Sequence, residues 1–446
     1  MAEQACPLRI GLPIELWRKV IRHAASIEHE FETCSFGGRD YTIDWLAAYK
    51  AEWHRGFRTR LSLVLVCKLW SNLASEYLYR SILVAGVDRA HAFVQLVPRL
   101  VNSGMIRHVR GVSVPPIPPL YGPIAMGPSL PDAIAQFHNL HVLHHRYFVL
   151  RPEMNQTHIT TLYSQLRDWS DFETLASLPH LQYLRFSLYT RMPISSRVKL
   201  SQLKTLRVES YNPCHSFYEW LDVPNLHTLI LDDIYSTPHF PLIQHVLPQV
   251  RALGFNDLGA QLPLINDHSA PHLRSVTCRS PFGANWRNLP LVAPLKAVEE
   301  VYIWLEAAVL RRITRRHYDT HIASMLAHTV DEEVMQKLSY VYTDLTTNTL
   351  RIMKPELKDE LRVWLTNMKK REITVMTYIK TSKYADHRYC TLEEVWDAEP
   401  HWEFWEPTNP QDEISKWDLL AEATGRKNMT WRVTEDFSEC QWFGET

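Results

Sequence analysis

The chain lacks an excess of charge of either sign. Its 446 residues carry 48 Lys and Arg against 49 Asp and Glu, a formal net charge of −1. That balance removes any global electrostatic case for a nucleic-acid or anionic-membrane partner. Paired cysteines are also lacking. The seven stand at 6, 34, 67, 214, 278, 390 and 440, an odd count without CxxC spacing. This is the usage of reduced thiols in a cytoplasmic or nuclear protein. No run approaches the roughly 18 apolar residues that span a bilayer. Glu3, Arg9 and Glu15 interrupt any apolar leader. Catalytic signatures are missing too: no GxxxxGK loop, no HExxH, no GxSxG and no zinc-type Cys/His spacing. His141, His144 and His145 lie close together, but no Cys or carboxylate completes a metal set near them. The expectation is a non-enzyme without cofactor or metal. Hydrophobic content of 46% is enough to fold most of the chain, and the length exceeds one compact core.

The first eighty residues hold the most informative pattern that is present. Leu12, Pro13, Ile14, Glu15 and Leu16 open a helix. Proline suits its first turn, and Glu15 lies near the positive end of the helix dipole. Ile14, Trp17, Val20, Ile21 and Ala24 recur at helical steps and make one apolar stripe. A second apolar block, Leu63 to Ile82, repeats the pattern through Val66, Trp70, Leu73 and Tyr77. Two helices with faces this broad cannot bury everything against each other, so some of the surface should meet a partner. Between them, residues 26–60 hold a predicted helix through Ile43, Trp45, Leu46 and Tyr49.

The Leu12-Pro13-Ile14-Glu15 start, Ile21 and the Val66-Cys67-Lys68-Leu69-Trp70 core resemble an F-box. The span 8–82 with its insert 26–60 is similar to the expanded F-boxes of mushroom-forming fungi. The resemblance implies docking on a Skp-family adaptor and, through it, a cullin. Leu12, Pro13, Ile14, Leu16, Ile21, Val66, Cys67, Trp70 and Leu73 would form or support that contact. It also implies that the rest of the chain reads a target protein for ubiquitination.

A repeat follows. L-x-x-L-x-L motifs begin at Leu181, Leu203, Leu226, Val250, Leu273 and Val298, separated by 22, 23, 24, 23 and 25 residues. Spacing in the low twenties is the leucine-rich-repeat period. Degenerate copies begin at Val109, Leu140 and Ile159. Pro179, Pro224, Pro248 and Pro271 each precede a first apolar position by two residues, which fits strand entry without a ladder donor. The expected fold is an α/β solenoid: a helical F-box, an irregular leucine-rich-repeat array over 83–304 and a mixed capping region over 305–446. A proline-rich stretch from Pro115 to Pro131 reads as an inserted loop. Tyr183, Arg185, Arg207, Glu209, Asp232, Asn256 and Arg279 fall between the apolar positions, on the concave face. That face is the default place for a protein ligand.

After residue 304 the period changes. Residues 307–326 read as a helix with Arg311, Arg312, Arg315 and Arg316 on one side. A second helix starts at Pro355 with a stripe of Leu357, Leu361, Trp364, Leu365 and Met368. Ile373, Val375, Thr377 and Ile379 alternate like a strand. Trp396, Trp402, Trp405, Trp417, Trp431 and Trp442 mark the tail, where packing back onto the domain is the commoner role of tryptophan. Two further readings stay open. One is a repeat scaffold without ligase coupling. The other is a ligand-binding protein or enzyme that uses the Trp-rich region.

Overall fold

The computed structural model describes residues 13–25, 45–84, 87–114, 129–145, 157–166, 169–188, 197–210, 221–232, 245–255, 265–279, 295–304, 335–343, 355–380 and 387–392. Within them the repeat motif becomes a single ladder. Thirteen strands form one sheet in the order β1 (Ser81–Leu83), β2 (Gly111–Val114), β3 (Val142–His145), β4 (Thr161–Leu166), β5 (Tyr183–Leu188), β7 (Thr205–Ser210), β9 (Thr228–Asp232), β10 (Ala252–Phe255), β11 (Ser275–Arg279), β12 (Glu300–Trp304), β13 (Tyr340–Thr343), β14 (Thr374–Lys380) and β15 (His387–Thr391). Every pairing is parallel except the last, where β15 runs antiparallel to β14. A short pair, β6 (Val198–Lys199) and β8 (Leu221–Asp222), stands apart. The ladder therefore begins inside 8–82 and continues past 304.

The register explains the motif. Leu184, Leu206, Leu229, Leu253, Val276 and Val301 are lateral neighbours. The degenerate copies join the same row through Val112, Leu143 and Leu162. All of them are buried in one continuous core. A parallel sheet must cover its apolar face with crossover elements. Helices α4 (Val87–Asn102), α5 (Ser129–Ala135), α6 (Trp169–Leu175) and α7 (Pro355–Lys370) do this here. Phe93, Ile134, Phe172 and the predicted Leu361, Trp364 and Met368 all enter that core. Phe172 of α6 meets Phe186 of β5 edge to face, with centroids 5.6 Å apart. Such a pair adds about 1 kcal/mol beyond its buried area.

The prolines play a different part from the expected strand entry. The Leu181 N–H donates to the Leu178 carbonyl, and Leu226 to Val223, Val250 to Leu247 and Leu273 to Ala270, all at 3.1–3.2 Å. Each is a four-residue turn with Pro179, Pro224, Pro248 or Pro271 in its second place. There the fixed φ of proline presets the turn. The turn also delivers one more buried residue per repeat, Leu178, Val223, Leu247 or Ala270.

Candidate functional site

Among the described residues, three helices precede the ladder: α1 (Ile14–Ala25), α2 (Trp45–Val66) and α3 (Lys68–Leu78). Ile14 is the first helical residue of α1. Pro13 stands just before it, and its carbonyl accepts the N–H groups of Leu16 at 3.0 Å and Trp17 at 3.2 Å. The second apolar block is three pieces rather than one helix. Cys67 takes an extended conformation (φ −164°, ψ 171°) between α2 and α3, and Ser81 and Ile82 enter β1. The described part of the segment between the two motifs is likewise integral. Residues 45–60 are the body of α2, and the helix expected through Trp45, Leu46 and Tyr49 begins at Trp45.

Arg60 shows how the unit is tied together. Its side chain is 1% exposed. Its Nε donates to the Ala25 carbonyl at 2.8 Å, and a terminal nitrogen reaches the Ser81 hydroxyl at 3.3 Å. The cation therefore sits at the negative end of the α1 dipole. Trp53 Nε1 donates to the Ser81 carbonyl at 3.1 Å, and its ring stacks on Phe57 at 4.8 Å.

The apolar stripe of α1 divides. Ile21 and Ala25 are buried, and Trp17 leans on Trp70 with ring centroids 5.2 Å apart. Ile14, Leu16 and Val20 are exposed, as are Leu61, Leu65, Val66 and Leu69 on the neighbouring helices, with Leu65 at 74%. These are seven of the ten exposed large apolar side chains among the described residues. Of the expected contact set, Ile14, Leu16 and Val66 thus lie on the surface. Pro13 is also exposed. Cys67, Trp70 and Leu73 are half-buried and Ile21 is interior, so Ile21 organises the unit from within. Leu12 lies outside the described residues. Leu61, Leu65 and Leu69 were missed as surface residues. Their i, i+4, i+8 spacing is legible, but periodicity does not say which stripe stays uncovered.

The other face of the sheet carries the remaining expected residues. Ser113, His144, Tyr163, Arg185 and Arg207 follow one another across β2, β3, β4, β5 and β7. Arg185 lies over the Tyr163 ring at 4.2 Å, a cation–π contact. Farther along, Tyr302 and Tyr342 stack at 4.3 Å and 4°, with Met376 against them. The Tyr302 hydroxyl donates to Glu300 at 2.9 Å. Much of this row is buried where it is described. Arg207 is 7% exposed, and Thr277 and Tyr302 are buried; only Tyr183 and Arg185 of the expected target contacts are partly open. The side chains of Glu209, Asp232 and Arg279, and all of Asn256, lie outside the described residues. So do the 307–326 helix, the Pro115–Pro128 stretch and the Trp-rich tail.

The three neighbouring histidines do not converge. His141 precedes β3, and its Nδ1 lies 2.8 Å from the Asn139 carbonyl. His144 and His145 alternate to opposite faces of β3, as successive strand residues must. Burial pushes His144 down to about 3, helped by the Arg185 charge, and His145 down to about 4. Among the described residues no group of three His, Cys, Asp or Glu could hold a metal ion, and no helix is long and apolar enough to cross a membrane.

No protein-family model matches the chain, and no curated protein does. A solved TLR13–ssRNA13 complex aligns with it at a TM-score of 0.24 and 12% identity, covering 53% of this chain and 42% of that one.

Proposed function

We propose that the chain is a substrate-recognition subunit of a Skp–cullin–F-box ubiquitin ligase. In this reading the N-terminal helices dock on the Skp adaptor and the solenoid presents a target protein. The observation that supports it is the concentration of exposed apolar side chains on α1, α2 and α3. Ile14, Leu16, Val20, Leu65, Val66 and Leu69 stand uncovered on the unit whose sequence resembles an F-box. They are 42–74% exposed, so covering each would gain a corresponding part of the roughly 1.5–3 kcal/mol that burying a fully exposed side chain brings. That is the energetics of a docking face, and no chemistry is asked of it. The solenoid would contribute proximity and orientation to the transfer of ubiquitin.

The test is co-expression with a Skp adaptor, size-exclusion chromatography and calorimetry. A stoichiometric complex is expected. Leu65→Arg combined with Leu69→Arg should abolish it and leave the circular dichroism spectrum unchanged, because both side chains are exposed. Absence of binding by the folded native chain would remove the ligase reading and leave a repeat-based interaction scaffold.

A further inference from the structure

One column of the repeat carries a charge pattern that the core motif does not require. It lies one place after the first apolar position of each repeat. Its members are linked backbone to backbone. The Arg110 N–H donates to the Arg80 carbonyl, His141 to Arg110, His227 to Lys204, Arg251 to His227 and Arg274 to Arg251, all at 2.7–2.8 Å. The column therefore runs along the N-terminal ends of the strands at the ~4.8 Å spacing of the sheet. Lys204, Arg251 and Arg274 are exposed. His227 lies between Lys204 and Arg251. Partial burial lowers its pKa first, and the two neighbouring cations lower it further. Glu299, next in line, pairs with Arg274 at 2.8 Å. Glu299 answers Arg274, but Lys204 and Arg251 remain exposed cations on either side of His227, so the edge keeps an excess of positive charge that favours an anionic partner.

The sequence supplies one. Residues 393–446 hold 14 acidic and 4 basic side chains, net −10. Residues 1–392 hold 35 acidic and 44 basic, net +9. The near-neutral chain is thus two strongly opposed parts. Topology brings them to the same edge. β15 is antiparallel, with Thr391 opposite Met376 and His387 opposite Lys380. The chain accordingly returns to the N-terminal ends of the strands, where the basic column lies. Four strand steps, roughly 19 Å, separate β15 from β11, and the 54 residues beyond Leu392 can extend about 3.3 Å each.

We propose that the acidic segment 393–446 docks in cis on the basic column formed by Lys204, His227, Arg251 and Arg274. A nucleic-acid occupant is disfavoured because no Phe, Tyr or Trp interleaves these four positions to stack a base.

The full-length chain tests this. Carbodiimide coupling followed by mass spectrometry should join Lys204 to carboxylates of 393–446, and the yield should fall steeply at about 0.5 M salt. Lys204→Glu with Arg251→Glu should speed tryptic cleavage at Lys416 and Arg426 about fivefold, the value of two exposed ion pairs. Glu403→Lys with Glu406→Lys leaves the column intact and should do the same, so a folding defect in the first variant cannot mimic the effect. The proposal is overturned if Lys204 never couples to the segment while other lysines react, or if neither variant alters cleavage. It also falls if a single-stranded oligonucleotide binds through Lys204 and Arg251 and leaves the cleavage of the segment unchanged.

Discussion

At the scale of the residue, His144 and His145 make the fold sensitive to acid. Both are held neutral by burial, with pKa values near 3 and 4 against an ordinary 6.5. Below 6.5 the unfolded chain therefore binds protons that the folded chain refuses. Their contribution is fully present above about pH 6.5 and is lost as pH falls to about 4 for His145 and about 3 for His144. The slope is on the order of 1.4 kcal/mol per group per pH unit. The urea midpoint should accordingly drop between pH 7 and pH 5. His144→Gln keeps a polar group in the site and removes one titration, so its midpoint should fall less over the same interval. An equal fall in both proteins would mean that other groups carry the acid sensitivity. Sequence proximity made these histidines look like a cluster. Strand alternation, a two-residue period, sends them to opposite faces.

At the scale of the element, the end of α7 carries the one positive φ of a non-glycine residue among those described, Glu372 at 59°. Its cause is visible in the hydrogen bonds. The Ile373 N–H donates to the Met368 carbonyl at 2.9 Å and the Glu372 N–H to Lys369 at 3.0 Å. This pair is a Schellman cap, and Ile373 and Met368 are both buried in the core. Glycine meets the same left-handed demand at Gly104, just past α4, with φ 70°. Glu372→Gly should therefore raise stability by roughly 0.5–1 kcal/mol, read as a higher melting temperature. A lower one would show that the Glu372 side chain matters more than its backbone. The elements differ in how much the sequence revealed. The sheet row was legible because each repeat restates the same three apolar positions, and the register had to align them. Helix α7 was legible from Pro355 and its stripe. The break at Cys67 was not, since the run Leu63–Leu73 contains neither Gly nor Pro and reads as continuous helix. β13 escaped because its first apolar position, Leu338, lies 40 residues after Val298 and breaks the period. The exposed helical face was only half legible. Periodicity finds an apolar stripe, but burial of Ile21 and exposure of Ile14 and Val20 depend on where α2 and α3 cross it.

At the scale of the whole molecule, the helical unit and the solenoid are one body because β1 belongs to both. Only Tyr79 and Arg80 separate α3 from β1, and β1 pairs in register with β2. Ser81 is the shared point. Its carbonyl receives Trp53, and its hydroxyl receives the same guanidinium that holds the end of α1. Hydrogen bonds from a charged donor contribute about 1.5–3 kcal/mol each, and removal of Arg60 would also leave the buried Ala25 carbonyl without that donor. Arg60→Ala should thus cost on the order of 3 kcal/mol, and its effect should be local. A solenoid is stabilised by contacts between adjacent repeats, so damage at one end decays along it. Hydrogen exchange checks this directly. Amides of α1, α2 and β1 should lose protection in the variant, and those of β7, β9 and β10 should keep theirs. Uniform loss across the sheet would show that the solenoid folds as one cooperative unit, with Arg60 inside it. Loss confined to α1 would show that the Ser81 joint is held by Trp53 alone. The expected intermediate pattern makes Arg60 the residue through which the orientation of the helical face is fixed to the repeat array. A docking face carried by α1–α3 would then hold whatever the array binds at a set distance and angle, with no linker between them.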